Sequence, residues 1–320
     1  MKPMMEMSSL RPIAQQFSRT VTSIQPIGNG YINDTYLVGT AAKPFVLQKI
    51  NKRVFPHPEL IMANLEVLSQ HIRQLNDKQI SLKIPDLLLA ETGVNFLTDE
   101  DNEYWRALTF IDNTVSLETL DNLAQAGQVG FALGQFHRIT WELDVGKLHD
   151  TLPGFHITPH YLAQYSLVRA QPAVLEDAFC ADFIARFQPI AIDLETARNQ
   201  GLLRERVIHG DPKLNNFLFD KASQHIVSLI DLDTVKPGLI HYDLGDCVRS
   251  CCHDLETDEF RLEVFHAFLG SYLEQMGEFI TQSDLQFLYP AIRLIPFELG
   301  VRFYTDFLLG NRYFKVTEPQ

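Results

Sequence analysis

Three side chains in one stretch of this chain have the types and offsets needed to move a phosphoryl group. Asp211 ends the run Val207-Ile208-His209-Gly210-Asp211, and Asn216 follows five residues later. A second apolar run, Ile226-Val227-Ser228-Leu229-Ile230, then ends on Asp231. A carboxylate at the end of a strand can accept the proton of an attacking hydroxyl. A side-chain amide oxygen and a second carboxylate are the hard donors that Mg2+ takes together with phosphate and water. Asp211 is therefore the candidate base, and Asn216 and Asp231 are the candidate metal ligands. An Asp with an Asn five residues away is common in itself; the preceding His-Gly and the apolar strand ending in Ile-Asp make the combination specific. His209 reads as a brace that holds the loop by hydrogen bonds. Asp243 and Asp246 read as residues that order its backbone, and Asp233 as either a support or a metal contact.

These groups need elements that bring a phosphate donor to them. Residues 24–38 read as two strands around Gly28-Asn29-Gly30, because an Asn between glycines suits a turn with positive φ. Gly28 and Gly30 would let the backbone approach phosphate closely. Asn33 and Asp34 sit just past the tip, where γ-phosphate or acceptor would lie. Residues 45–50 read as a third strand and 58–75 as a helix, with Leu60, Ile61, Leu65, Leu68 and Ile72 near helical spacing. Two more strands are expected at 95–98 and 104–110. From there helical patterns dominate: one begins at Ser116 as a cap, and others cover 124–138, 161–168, 183–199, 244–252, 258–276, 283–294 and 298–309. The strand-turn-strand unit 206–230 interrupts them. The outline is an α+β chain, with a small N-terminal antiparallel β-sheet lobe carrying one main helix and a larger, mostly helical C-terminal lobe. The expected domains are 1–112 for nucleotide and 113–320 for catalysis and acceptor. Adenine is expected against backbone groups near Thr109 and Ile111, where the lobes join.

Taken together these residues resemble a known superfamily. His209-Gly210-Asp211-x4-Asn216, Ile230-Asp231-x-Asp233 and Tyr242-Asp243-Leu244-Gly245-Asp246 look like the aminoglycoside phosphotransferase / choline kinase-like superfamily, and the match runs through nearly the whole chain. Protein kinases use an Asp, an Asn five residues on and a second Asp after a hairpin in the same roles. The segments 28–36 and 45–51, Val54-Phe55, Met62-x-Asn64, Trp105-Arg106, Thr234-Val235-x-Pro237-Gly238 and Arg302-Phe303-x2-Asp306 resemble the subgroup containing N-acetylhexosamine 1-kinase. The resemblance implies a two-lobed protein kinase-like fold, ATP, Mg2+ and a small hydroxylated acceptor, such as a sugar phosphorylated at its anomeric hydroxyl. It suggests acceptor contacts for Asp34, Arg302 and Tyr313; Arg302 also lies one helical turn from Asp306, a possible partner. In the superfamily a basic residue on the third strand grips the nucleotide's phosphates. Alternating strand residues face opposite sides, so Gln48 takes the inward position and a local bulge would be needed to turn Lys49 inward. Phosphate chemistry favours Lys49, with Glu66 on the helix as its expected partner.

Composition sets the outer bounds. The chain has 320 residues, 46% hydrophobic, with 27 Lys and Arg against 40 Asp and Glu, a formal net charge of −13. Such acidity argues against general binding to nucleic acid or anionic membranes. No apolar run reaches the ~18 residues of a membrane span, and the N-terminus lacks an apolar signal core, so a cytoplasmic location is expected. Cys247, Cys251 and Cys252 lack the second ligand pair of a zinc site and read as buried thiols. Oligomeric state has no signature in the sequence. Two rival classes remain. A metal-dependent hydrolase would use the His-x-Asp pairs at 209/211 and 241/243 but gives Asn216 and Asp231 no job. A non-catalytic nucleotide-binding protein sits poorly with an intact Asp211, Asn216 and Asp231. Within the kinase class, homoserine, choline or an aminoglycoside are alternatives to a sugar.

Overall fold

A computed structural model describes residues 7–28, 32–75, 80–172, 174–254 and 256–314. Alternating burial builds the N-terminal sheet. Its strands are β1 (Val21–Pro26), β2 (Asp34–Thr40), β3 (Phe45–Ile50), β4 (Leu87–Leu88), β5 (Leu97–Thr98) and β6 (Tyr104–Thr109), antiparallel in the order β1-β2-β3-β6-β4 with β5 also on β6. Val38, Leu47, Trp105 and Ala107 point to one face and pack with Leu10 and Ala14 of a helix, α1 (Met7–Gln15). The other face sends Ile50 toward α2 (Pro58–Gln74), which presents Ile61, Met62, Leu65 and Leu68. Pro58 opens α2 in the first turn, where its missing N–H costs no hydrogen bond.

The C-terminal lobe is mostly helical. The helix expected from Ser116 does not form. Thr114 and Val115 pair as β7 with β9 (Phe217–Asp220), which keeps the chain extended. Helix α3 (Leu123–Thr140) instead starts one residue past Asn122, whose Oδ1 accepts from the Gln125 N–H at 3.0 Å. There follow α4 (Thr158–Arg169), α5 (Ala178–Phe187), α6 (Asp193–Asn199), β8 (Arg206–Ile208), β10 (Ile226–Leu229), β11 (Lys236–Gly238), α7 (Ile240–Cys252) and α8 (Leu262–Met276). The last helix, α9 (Gln282–Leu308), replaces the two expected at 283–294 and 298–309, running unbroken through Pro290 and Pro296. An interior proline costs roughly 3 kcal/mol. The helix offsets this by burying Ala291, Leu294, Ile295, Phe297 and Val301 in a core shared with α4, α6 and α7.

The largest core runs from Ile50 and α2 through α3, β9 and β10 to α7 and α8, so the two lobes share one apolar body on that side. Antiparallel β9–β10 and β8–β11 form the floor beneath the sheet. All four cysteines are free thiols, and Cys247, Cys251 and Cys252 are buried along α7. No helix among the described residues is long and apolar enough to cross a membrane.

Candidate active site

The loop between β8 and β9 carries Asp211 and Asn216 and is tied from several sides. The Asp243 carboxylate, fully buried on α7, accepts from the backbone N–H groups of His209 at 2.7 Å and Gly210 at 2.8 Å. It also meets His137 Nε2 at 3.0 Å. Burial alone would raise the Asp243 pKa, but the His137 bond, the nearby histidines and the Gly210 N–H hold it below the ordinary value. Asp246, expected to order the same backbone, pairs with Arg249 at 2.7 Å instead. Gly210 sits at φ 86°, and a Cβ there would lie 2.6 Å from the Thr234 carbonyl oxygen, so only glycine fits.

His209 is buried and braced. Its Nδ1 accepts from the Asp211 N–H at 3.3 Å and its Nε2 donates to the Ile230 carbonyl at 3.0 Å, an arrangement that suits the neutral ring. Burial pushes its pKa down, consistent with that neutral form. His241, the second histidine of the hydrolase reading, meets the Asp284 carbonyl at 2.9 Å. Both histidines thus face backbone carbonyls. Among the described residues no three His, Cys, Asp or Glu side chains form a metal cage.

Asp211 itself is about one quarter exposed and lies 2.6 Å from Lys213 Nζ. Lys213 is not singled out by the motif spacing; its place two residues beyond the candidate base is the only signal for it. Burial works against its charge, but Asp211 and then Asp231 outweigh it and raise its pKa. Asn216 donates Nδ2 to the Asp211 carbonyl at 2.7 Å. That bond sets the orientation of the amide and leaves Oδ1 as its free donor atom. Asp231 sits at φ 67°, a left-handed conformation that Asp tolerates better than most residues. Crowding strips water from its carboxyl, Asp233 and Asp211 add repulsion, and its pKa is pushed up to about 7. Asp231 as a residue is nonetheless exposed, at the edge of the loop. One amide oxygen and one carboxylate, set among further carboxylates that repel one another, form a donor set that fits Mg2+ with phosphate and water completing its shell.

Above this floor, Asp233 joins the lobes. Its Oδ2 accepts from Asn33 Nδ2 at 2.7 Å, and its Oδ1 pairs with the Arg106 guanidinium. Thr151 donates its hydroxyl to the Asp233 carbonyl at 2.7 Å. Arg106 is 1% exposed and also donates to Gln48 Oε1 from Nε at 3.0 Å and Nη2 at 2.8 Å. Neither Asp233 as a lobe-joining acid nor Arg106 as a cleft cation follows from sequence spacing.

The inward-facing lysine expected on β3 does not form. β3 pairs continuously with β2 and β6 from Phe45 to Lys49, so the bulge that would turn Lys49 inward is absent. Lys49 therefore lies on the α1 side, 3.5 Å from Asp34 and 6.0 Å from the Trp105 ring centroid. Gln48 holds the inward position. Glu66 is exposed on α2 and makes no ion pair among the described residues. Asn64 of α2 reaches across, donating to the carbonyls of His149 at 2.8 Å and Val235 at 2.9 Å. Gly28 has φ 74°, and Gly30 lies outside the described residues. Where the lobes join, the Thr109 N–H bonds the Asp86 carbonyl at 2.9 Å, and the Ile111 carbonyl accepts from Thr114 Oγ1 at 2.8 Å.

Arg302 stands on α9 among aromatic rings, 5.1 Å from the centroids of Phe155 and Tyr161 and 5.7 Å from that of Phe314. Burial pushes the Tyr161 hydroxyl up to about 12, against the pull of Arg302. Asp306 is not its partner. That carboxylate accepts backbone N–H bonds from Arg312, Tyr313 and Phe314 at 2.8 to 3.1 Å, folding this segment back on α9. Tyr313 is exposed and packs edge-on to Phe314. This cluster reaches the catalytic loop through His156, whose ring lies 4.0 Å from that of Phe155. Its Nε2 bonds the Gly210 carbonyl at 2.7 Å, and its Nδ1 bonds Glu298 at 3.2 Å.

Solved structures with this fold are numerous. A microcompartment-associated aminopropanol kinase aligns with a TM-score of 0.60 at 14% identity, over 96% of this chain and 95% of its own. An aminoglycoside 2'-phosphotransferase in complex with GDP gives 0.62 at 15%, over 95% and 92%. An amicoumacin kinase in complex with AMP-PNP and Ca2+ gives 0.65 at 14%, over 97% and 88%. At these identities the likeness establishes the protein kinase-like fold. A family model of the phosphotransferase enzyme family matches residues 23–279, most of the chain and all of the loop geometry above. The chain belongs to the phosphotransferase enzyme family and is a small-molecule kinase.

Proposed function

We propose that this kinase transfers the γ-phosphate of ATP, presented with Mg2+ in the cytoplasm, to a hydroxyl of a sugar or amino sugar, and that the acceptor is an N-acetylhexosamine phosphorylated at its anomeric hydroxyl. The observation that carries the phosphoryl-transfer part is the Asp211–Asn216–Asp231 arrangement. Asp211 would orient the acceptor hydroxyl and take its proton as the oxygen attacks. Lys213, held on Asp211, would place positive charge beside the transferring group. Asn216 Oδ1 and Asp231 would hold the metal, which would neutralise charge on the phosphates. Catalysis of this kind is positioning and electrostatics. The nucleotide complexes of the aminoglycoside 2'-phosphotransferase and the amicoumacin kinase, the latter with Ca2+, are consistent with it.

The Ile111 N–H has no protein acceptor among the described residues, which supports adenine binding at the junction beside Thr109. For the acceptor, the supporting feature is Arg302. It makes no ion pair among the described residues and lies between aromatic faces, with Tyr313 close by. A guanidinium without an acidic partner repels a cationic acceptor, while its planar fork suits neutral hydroxyl and acetamido oxygens.

The test is ADP release from Mg-ATP across N-acetylglucosamine, N-acetylgalactosamine, other sugars, homoserine, choline and an aminoglycoside. Phosphorus NMR then reads whether the product phosphate couples to an anomeric proton. Turnover confined to homoserine, choline or the aminoglycoside would sink the sugar assignment. ATP binding with no ADP release from any acceptor would sink the kinase assignment and favour a nucleotide-binding protein.

A further inference from the structure

The sheet face that looks down on the catalytic loop lacks a lysine where a phosphate-gripping cation is expected. Gln48 occupies the inward position of β3, and Lys49 lies on the other face with Asp34 and Trp105. Directly across the β3–β6 ladder from Gln48 stands Arg106. It therefore points to the same face, and its buried guanidinium pairs with Asp233, two residues from Asp231. Asp233 in turn receives Asn33, which immediately precedes β2. Cation, carboxylate and the entry to β2 are thus already connected.

The guanidinium is only partly satisfied. Nε and Nη2 are engaged by Gln48 and Asp233, whereas Nη1 is buried with no hydrogen-bond partner among the described residues. An orphaned, charged N–H group is costly inside a protein and favours any state in which it meets an acceptor. Phosphate oxygen is the acceptor best matched to a guanidinium fork.

We propose that Arg106, on the strand beside Gln48, is the cation that grips the nucleotide's α- and β-phosphates, with Asp233 orienting its guanidinium. Asp233 then takes the part of the helix carboxylate expected at Glu66, and the ion pair moves from the β3–α2 contact to the β6–metal-loop contact. Gln48 holds the fork in plane by accepting from Nε and Nη2. This rests on the nucleotide reading above.

The test measures affinity of the full-length protein for ATP, ADP and adenosine by calorimetry, with no acceptor present. Arg106→Gln is expected to weaken ATP and ADP roughly 10- to 100-fold while leaving adenosine within about twofold. Lys49→Gln is expected to leave all three within about twofold. Moving the cation across the ladder, in Gln48→Lys/Arg106→Gln, is expected to recover at least about tenfold of the loss, because both positions share one face. Should Arg106→Gln alone fail to fold, Lys49→Gln and the exchanged pair carry the test, since the exchange keeps a cation beside Asp233. The proposal is overturned if Arg106→Gln binds ATP as wild type does, or loses adenosine as strongly as ATP. It is also overturned if Lys49→Gln loses the preference for ATP over adenosine, or if the exchanged pair binds ATP no better than adenosine. Failure of the wild-type protein to bind any nucleotide would instead overturn the proposed function.

Discussion

The loop that carries Asp211 and the sheet face above it both hold charged side chains in place, but by different means. In the loop, Asp211, Lys213 and Asn216 lie within six residues and bond to one another directly. At the sheet, Gln48 of β3 and Arg106 of β6 meet Asp233 of the segment after β10, from positions 58 and 127 residues apart. A loop closed on itself keeps its chemistry by spacing. A sheet keeps it by register, so the cation can pass from one strand to the next and still face the same way.

The contrast can be broken most sharply at Asp211. Asp211→Asn is expected to lower turnover by roughly 10²- to 10⁴-fold, the usual worth of a general base, with ATP affinity and melting temperature nearly unchanged. Undiminished turnover would remove Asp211 as the base. Asp243 tests whether the loop's local spacing is enough without its brace. Asp243→Ala strands two backbone N–H groups and His137, and is expected to cost about 3–5 kcal/mol in urea unfolding. A loss under about 1 kcal/mol would mean that the loop supports itself.

Gly210→Ala is a milder strain on the same loop. It places a side chain at φ 86° against Thr234 and is expected to cost about 1–3 kcal/mol. Turnover should fall while affinity for ATP stays near wild type, and equal loss of both would show that loop and sheet are one unit.

His156 gives a smaller effect with a pH signature. Its ring nitrogens face the Glu298 carboxylate and the Gly210 carbonyl, two acceptors that only the doubly protonated ring can satisfy. Burial pulls its pKa down, but Glu298 outweighs that and leaves it raised. The folded pKa thus exceeds the unfolded one. Its contribution to stability is full below pH about 6.5 and is lost as pH rises through the folded value. The stability difference between wild type and His156→Gln, measured from pH 5 to 9, should shrink as pH rises; a constant difference would count against a charged ring. The smallest effect is expected at Glu66. Glu66→Ala should change stability by less than about 0.5 kcal/mol and leave ATP affinity unchanged. A clear loss of affinity there would return the ion pair to α2.

Legibility followed the range of the interactions. β3 spans Phe45–Ile50 as expected from its short apolar, β-favouring run, and α2 ends within a residue of the expected boundary, because both signals are local. The segment after Ser116 misled because a distant strand, β9, claims Thr114 and Val115. α9 misled because its prolines signal a break that buried contacts with α4, α6 and α7 override. Arg302 and Asp306 sit one helical turn apart and look like a pair. The segment after α9 instead captures Asp306, and the aromatic rings surround Arg302.

The sequence by itself singled out Asp211, Asn216 and Asp231 as the candidate base and metal ligands, and with them the kind of reaction to expect. Two of them share one short loop, and the third ends the strand of an adjacent hairpin, so their offsets carry the geometry. Only the tertiary structure decided that Arg106, not Lys49, shares the face of Gln48, that Asp233 is the carboxylate it pairs with, and that Glu66 points to solvent. Those outcomes depend on strand parity, inter-strand register and helix rotation. Packing across the whole sheet and core sets these, and no single segment encodes them.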